Sequence, residues 1–315
     1  MRPLTLLMAG LVLVFYVDGF LIGASIPLAL GFTLLGVMVH HADHSDIGRI
    51  GASTPLVSAL AALAVLALSR GLSWPLVCSA AVIGSAGGLA ERLGRSRWAG
   101  LGAAAYCGAF AGMTSERVLD HPGWILLAGL LAGVLLELLQ SSWAGIGGKL
   151  GSTAFLAVFG IVGLTLALGV PGPGAHLHSF SGSERGALLL LVLLSAQLTH
   201  LLSYRLGIGA VLGSALPSVL AGSLLPAPFA AVWLGASFVG MTAPARLEPQ
   251  PQLQLLAMAA LFALFSLGFE PSLAGLGGDL GATAAMSVFA VLGLRRLLSW
   301  TRAWRSKGTS QSNAG

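Results

Sequence analysis

Two short segments carry the residue types best suited to holding a small solute. Ala144-Gly-Ile-Gly-Gly-Lys-Leu-Gly-Ser-Thr-Ala154 and Ala274-Gly-Leu-Gly-Gly-Asp-Leu-Gly-Ala-Thr-Ala284 share one pattern at an offset of 130. Three glycines in five residues weaken a helix by about 1 kcal/mol each, so each segment is expected to be an unwound or re-entrant entry into a helix. Irregular backbone at membrane depth survives only where protein or a water-filled cavity satisfies it. Free amides at a helix entry favour an anion or a polar oxygen. The binding candidates are Gly147, Gly148, Gly151 and Thr153 in the first copy and Gly277, Gly278, Gly281 and Thr283 in the second. Tight loops and close helix packing are the competing use of such glycines.

A second repeated block, Phe110-Ala-Gly-Met-Thr114 and Phe238-Val-Gly-Met-Thr242, adds Thr114 and Thr242 to the candidates, at an offset of 128. A threonine at a helix end also bonds readily to the turn before it. Glu137, in Gly133-Val-Leu-Leu-Glu-Leu-Leu-Gln140, is the candidate for proton coupling, because ionisable groups inside a membrane are costly. Its repeat counterpart is Leu267, so its role is asymmetric. Lys149 and Asp279 occupy equivalent positions in the two glycine blocks. The histidines of His40-His-Ala-Asp-His-Ser-Asp46, and His176 with His178, match no closed metal-site spacing, and they read as polar linkers. No cofactor is implied. No nucleophile elbow, zinc-protease pattern or phosphate loop occurs, so an enzyme is not expected.

The elements that must position these residues follow from composition. Of 315 residues, 56% are hydrophobic and 9% charged, against about 25% charged in soluble domains; mean hydropathy is +0.89. Soluble enzymes, nucleic-acid binders and disordered chains are excluded. The apolar runs are continuous and rich in Leu, Ala and Gly, which favours spanning helices over the alternating strands of a barrel. Spans are expected at 3–18, 20–39, 54–69, 73–90, 98–114, 122–140, 151–170, 186–204, 207–225, 228–242, 253–269 and 280–298. The predicted class is an all-α polytopic membrane protein with 11–12 transmembrane helices, the first 36-residue run forming one or two spans. Asp18-Gly19 and Pro27 are the candidate breaks within it, a buried acidic group being the other reading of Asp18. Cys78 and Cys107 fall inside apolar runs and read as core thiols.

A third match, Val82-Ile-Gly-Ser-Ala86 with Val211-Leu-Gly-Ser-Ala215, keeps the order of the other two at an offset of 129. Five expected spans separate Thr114 from Thr242, an odd number, which predicts two inverted five-helix repeats. The expected organisation is 1–50 N-terminal helices and linker, 51–170 first repeat, 185–300 second repeat and 301–315 basic cytoplasmic tail. With the N-terminus inside, thirteen of the 16 Lys and Arg residues face the cytoplasm, and only Arg70, Arg117 and Arg185 lie outside, a positive-inside bias. Arg295 to Lys307, with Trp300 and Trp304, is expected to lie on anionic lipid headgroups.

The expectation is a secondary transporter of a small polar or anionic solute in a bacterial inner membrane. The alternatives are a passive channel and a non-transporting sensor or assembly subunit. The expected partners are the lipid bilayer and a small-molecule or ion substrate, with no nucleic acid and with homo-oligomerisation left open.

Overall fold

The computed structural model describes residues 53–169, 181–273 and 275–312. The spans expected before residue 40, Asp18, the His40–Asp46 cluster, His176 and His178 lie outside the described residues.

Every regular element among the described residues is helical. In chain order these are α1 (Ser53–Leu66), α2 (Leu76–Gly94), α3 (Leu101–Gly112), α4 (Pro122–Leu138), α5 (Lys149–Ala167) and α6 (Gly182–His200). They are followed by α7 (Ala210–Leu224), α8 (Ala227–Gly240), the short α9 (Pro244–Leu247), α10 (Pro251–Leu273) and α11 (Asp279–Ser312). Wider helical turns extend α1 through Ala67–Gly71 and α6 through Leu201–Arg205. Five helices are long and apolar enough to cross a membrane, over Ser53–Gly71, Leu76–Gly94, Lys149–Ala167, Glu184–Arg205 and Asp279–Trp300. Stretches of four others, Pro122–Leu138, Ala210–Leu224, Ala227–Gly240 and Pro251–Leu267, are apolar but shorter. The chain is a helical membrane protein.

Local chemistry sets the helix ends. Glu91, near the end of α2, accepts from Gly100 N at 3.0 Å and Gly102 N at 2.8 Å, so one carboxylate closes the turn into α3. Pro122 opens α4, where its missing N–H costs nothing, and His121 Nδ1 accepts from Gly123 N at 3.0 Å. A capping box between Ser181 and Glu184 starts α6. Gly148 precedes α5 with φ +83°, and Gly278 precedes α11 with φ +89°, a conformation a side chain would strain. Most helices fall within a few residues of the expected spans; the span expected from residue 98 begins at Leu101, after a tight turn at Arg95–Trp98, and only the last helix departs widely, running on to Ser312, well beyond the apolar stretch.

Small residues let the helices touch backbone to backbone, the usual basis of helix association in a bilayer. A Cβ on Gly129 of α4 would meet Ala59 Cα of α1 at 2.8 Å, and one on Gly222 of α7 would meet Cys78 N of α2 at 2.5 Å. The packing falls into two matching sets. Helix α1 packs on α3 and α4, α2 on α3, and α5 on α3 and α4; α6 packs on α8 and α10, α7 on α8, and α11 on α8 and α10. Between the sets the main contacts run from α2 to α7 and from α5 to α11. At the centre lie the buried rings of Tyr106, Phe110 and Phe238.

Candidate functional site

The two glycine blocks meet. Helices α5 and α11 cross at Gly151 and Gly281, where a Cβ on Gly151 would meet Gly281 Cα at 2.6 Å. Flanking that crossing, a Cβ on Gly148 would meet Ala285 N at 2.6 Å and one on Gly278 would meet Phe155 N at 2.5 Å. Ser152 Oγ donates to Gly148 O at 3.0 Å and reaches Gly281 O at 3.3 Å. Each glycine block also reaches the threonine block of the other half. Gly277 N donates to Thr114 Oγ1 at 3.3 Å, and a Cβ on Gly147 would meet Thr242 Oγ1 at 2.5 Å. Two backbone bonds complete the clasp, Ser115 N to Gly275 O and Ala243 N to Gly145 O, both at 2.9 Å.

The structure therefore gathers the candidate glycines and Thr114 and Thr242 at one place, in close packing. All four threonines bond back to their own helices as well. Thr114 and Thr242 donate to Ala111 O and Val239 O at 2.7 and 2.8 Å. Thr153 and Thr283 donate to Lys149 O and Asp279 O at 2.9 and 3.0 Å. The amides at the entry to α11 are largely engaged. Besides Gly277 N, Asp279 N donates to Leu276 O at 3.2 Å, Leu280 N to Asp279 Oδ1 at 2.6 Å, and Gly281 N to Gly278 O at 3.0 Å. That leaves little of the amide nest expected for an anion.

Beside the crossing lies a half-open cavity of about 240 Å³. Phe110 from α3, Met113 just past its end and Phe238 from α8 form apolar wall. Its polar groups include Ser266 of α10, and Asp279 and Thr283 at the start of α11. Phe110 and Phe238, which hold equivalent places in the two Phe-x-Gly-Met-Thr blocks, stack edge to face with centroids 4.8 Å apart. Behind them Tyr106 lies 4.2 Å from Phe110 by ring centroids. Its hydroxyl is 3.0 Å from Ser214 Oγ, which is 2.7 Å from Ser237 Oγ. This hydroxyl chain ties α3 to α7 and α8 in the interior, where unpaired polar groups would be costly.

The remaining candidates stand apart. Glu137 is half-buried in the last turn of α4 and lines none of the cavities described. Lys149 turns its Nζ to Gln140 O at 2.8 Å. Among other buried polar groups, Ser195 Oγ donates to Trp233 O at 2.7 Å and His200 Nδ1 lies 3.3 Å from Gly240 O. A wider, more open hollow of about 410 Å³ between the end of α2 and the start of α7 is edged by Glu91 and Arg92. Glu91 is committed to capping α3 there, and Arg92 Nη1 reaches Gly207 O at 3.4 Å.

Sequence reasoning passed over Phe110, Phe238, Tyr106 and Ser266. The phenylalanines had a signal, since both open the repeated block. Tyr106 and Ser266 had none, because Leu234 and Leu136 hold their places in the other half.

Compared with protein-family models, with curated proteins and with solved structures, the chain finds no match.

Proposed function

We propose that the chain is a secondary transporter of a small polar solute, built from two inverted five-helix halves that follow one or two N-terminal spans. The observation that carries this reading is the reciprocal clasp. Gly277 meets Thr114, the sequence-equivalent Gly147 meets Thr242, and Gly151 crosses Gly281 beside a cavity. Contacts between sequence-equivalent elements are what a two-fold axis in the membrane plane requires, and broken helix entries at matching positions of inverted halves mark transport sites. The matching packing of α1–α5 and of α6–α8 with α10 and α11 supports the same reading. The N- and C-termini face the cytoplasm of a bacterial inner membrane, and Glu137 links solute movement to protons.

The non-transporting alternative is favoured by one observation, the close packing of Gly151 on Gly281. Flux separates the two. In liposomes holding the purified chain, stopped-flow swelling over a panel of small neutral, cationic and anionic solutes should show saturable entry of one class, driven uphill by an imposed pH gradient. Flux that is saturable but never uphill would make the chain a channel. Swelling no faster than that of empty liposomes for every solute would overturn the transport reading.

A further inference from the structure

The two hollows open at opposite ends of the bundle. Helix α2 begins at the cavity beside the glycine crossing, which Leu76 lines, and ends at the wider hollow, which Gly88 and Arg92 line. Helix α3 runs the other way, from Ala103 in the wider hollow to Phe110 in the cavity. Ala103 and Phe110 stand seven residues apart, about 10 Å of helix, whereas a hydrocarbon core is about 30 Å thick. Two turns of α3 therefore separate the hollows. Tyr106 fills that interval. Ala103, Tyr106 and Phe110 follow at spacings of three and four, which places them on one face of α3. The fully buried Tyr106 ring lies 4.2 Å from Phe110 and 6.1 Å from Phe238 by ring centroids. Against it stands Gly84 of α2, where a Cβ would strike the ring. Gly84 is one turn from Gly88, and Ser214, the partner of the Tyr106 hydroxyl, is one turn from Val211, which lines the same hollow.

The hydroxyls beside the ring donate in one direction. Ser237 donates to Leu234 O at 2.6 Å, so the hydrogen between the two serines belongs to Ser214. Ser214 is thereby spent as a donor, which makes Tyr106 the donor of the 3.0 Å bond between them. If the Tyr106 ring swings away, both serines still donate, and the polar cost falls on its own hydroxyl, which water entering from either hollow satisfies. The other half holds Leu234 at this place, so one half alone carries the ring. We propose that the two hollows are the ends of one solute path and that Tyr106 is its gate, closed in this structure and opened when the ring leaves Ser214. This deepens the transport reading, on which it rests for the claim that solute passes.

Erythritol, a neutral polyol that crosses bare lipid slowly, tests the gate by stopped-flow swelling of liposomes holding the purified full-length chain. Tyr106→Ala, which removes the ring between the hollows, should raise entry at least tenfold and make it non-saturable. Phe262→Ala removes an equally buried ring of α10 that lines neither hollow, and should leave entry at the parent rate. Tyr106→Leu, the side chain the other half carries at this place, should raise entry severalfold, and it decides the matter if Tyr106→Ala does not fold. A second reading uses Ser214→Cys in a chain with Cys78 and Cys107 replaced by Ser, which sets a thiol beside the Tyr106 hydroxyl. That thiol should be inert to a small hydrophilic thiosulfonate while Tyr106 stands, and react at least tenfold faster once Tyr106→Leu is added.

Entry at the parent rate through the folded Tyr106 variants, with the Ser214→Cys thiol still inert beside Tyr106→Leu, overturns the proposal. A leak of the same size through Phe262→Ala also overturns it, since loss of any buried ring would then suffice. The path and the transport reading fail separately. Leaky Tyr106 variants of a parent chain that moves no solute remove transport and leave the path, whereas saturable flux through the parent with tight Tyr106 variants removes the path and leaves transport.

Discussion

At the residue scale, the glycines of the two blocks act by the space they leave. Gly151 on α5 lies against Gly281, whereas Gly163 on the same helix has nothing within 4 Å of where a Cβ would stand. Gly151→Ala is therefore expected to destabilise the chain by about 1–3 kcal/mol, the usual cost of overpacking, and Gly163→Ala to change stability by no more than about 1 kcal/mol. Thermal unfolding in one detergent compares them, and equal effects would contradict the crossing. The same geometry means that Gly148→Leu and Gly278→Leu, obvious choices for abolishing transport, would first disrupt packing, since even a methyl meets backbone there. Glu137 has no such packing role. Glu137→Gln should leave the unfolding midpoint nearly unchanged and remove the dependence of uptake on an imposed pH gradient; retained dependence would exclude it as the coupling group. The threonines were legible because they repeat. That Thr114 receives a bond from the glycine block of the other half was not, since one sequence carries no record of which halves meet.

At the element scale, composition and punctuation gave most helices to within a few residues. Continuous Leu, Ala and Gly marked their interiors, and the two glycine blocks marked the entries to α5 and α11. The run of α11 to Ser312 escaped notice because the helix continues after its apolar content ends, and periodicity of apolar residues is silent there. The crossing of α2 with α7 was equally hidden, although it can be tested directly. Cys78 Sγ lies 3.3 Å from Ser223 Oγ. Oxidation of a Ser223→Cys, Cys107→Ser chain should join Cys78 to position 223, read as the loss of both thiols to a mass-tagged maleimide. Two thiols still reactive after oxidation would contradict the contact.

At the scale of the whole molecule, charge and repetition together predict an orientation. The turn after α3 carries Arg117, expected outside, and the short α9 that follows α8 carries Arg246, expected inside. With Cys78 and Cys107 replaced by Ser, an impermeant maleimide added to intact cells should label Arg117→Cys and spare Gln250→Cys, with the pattern reversed in inside-out vesicles. Labelling of both from one side would exclude inverted halves. The sequence made the repeated blocks visible. It left hidden that the halves leave a pocket beside their crossing, because that space depends on Phe110, Phe238 and Ser266, brought from three different helices. The central claim is that this pocket communicates with water and so carries solute. The measurement that tests it most directly is the reactivity of Thr283→Cys, in a chain without Cys78 and Cys107, toward a small hydrophilic thiosulfonate applied in turn to right-side-out and inside-out membranes. Modification from an aqueous face, slowed by bound solute, is the predicted result, and a cysteine inert from both faces would contradict the account.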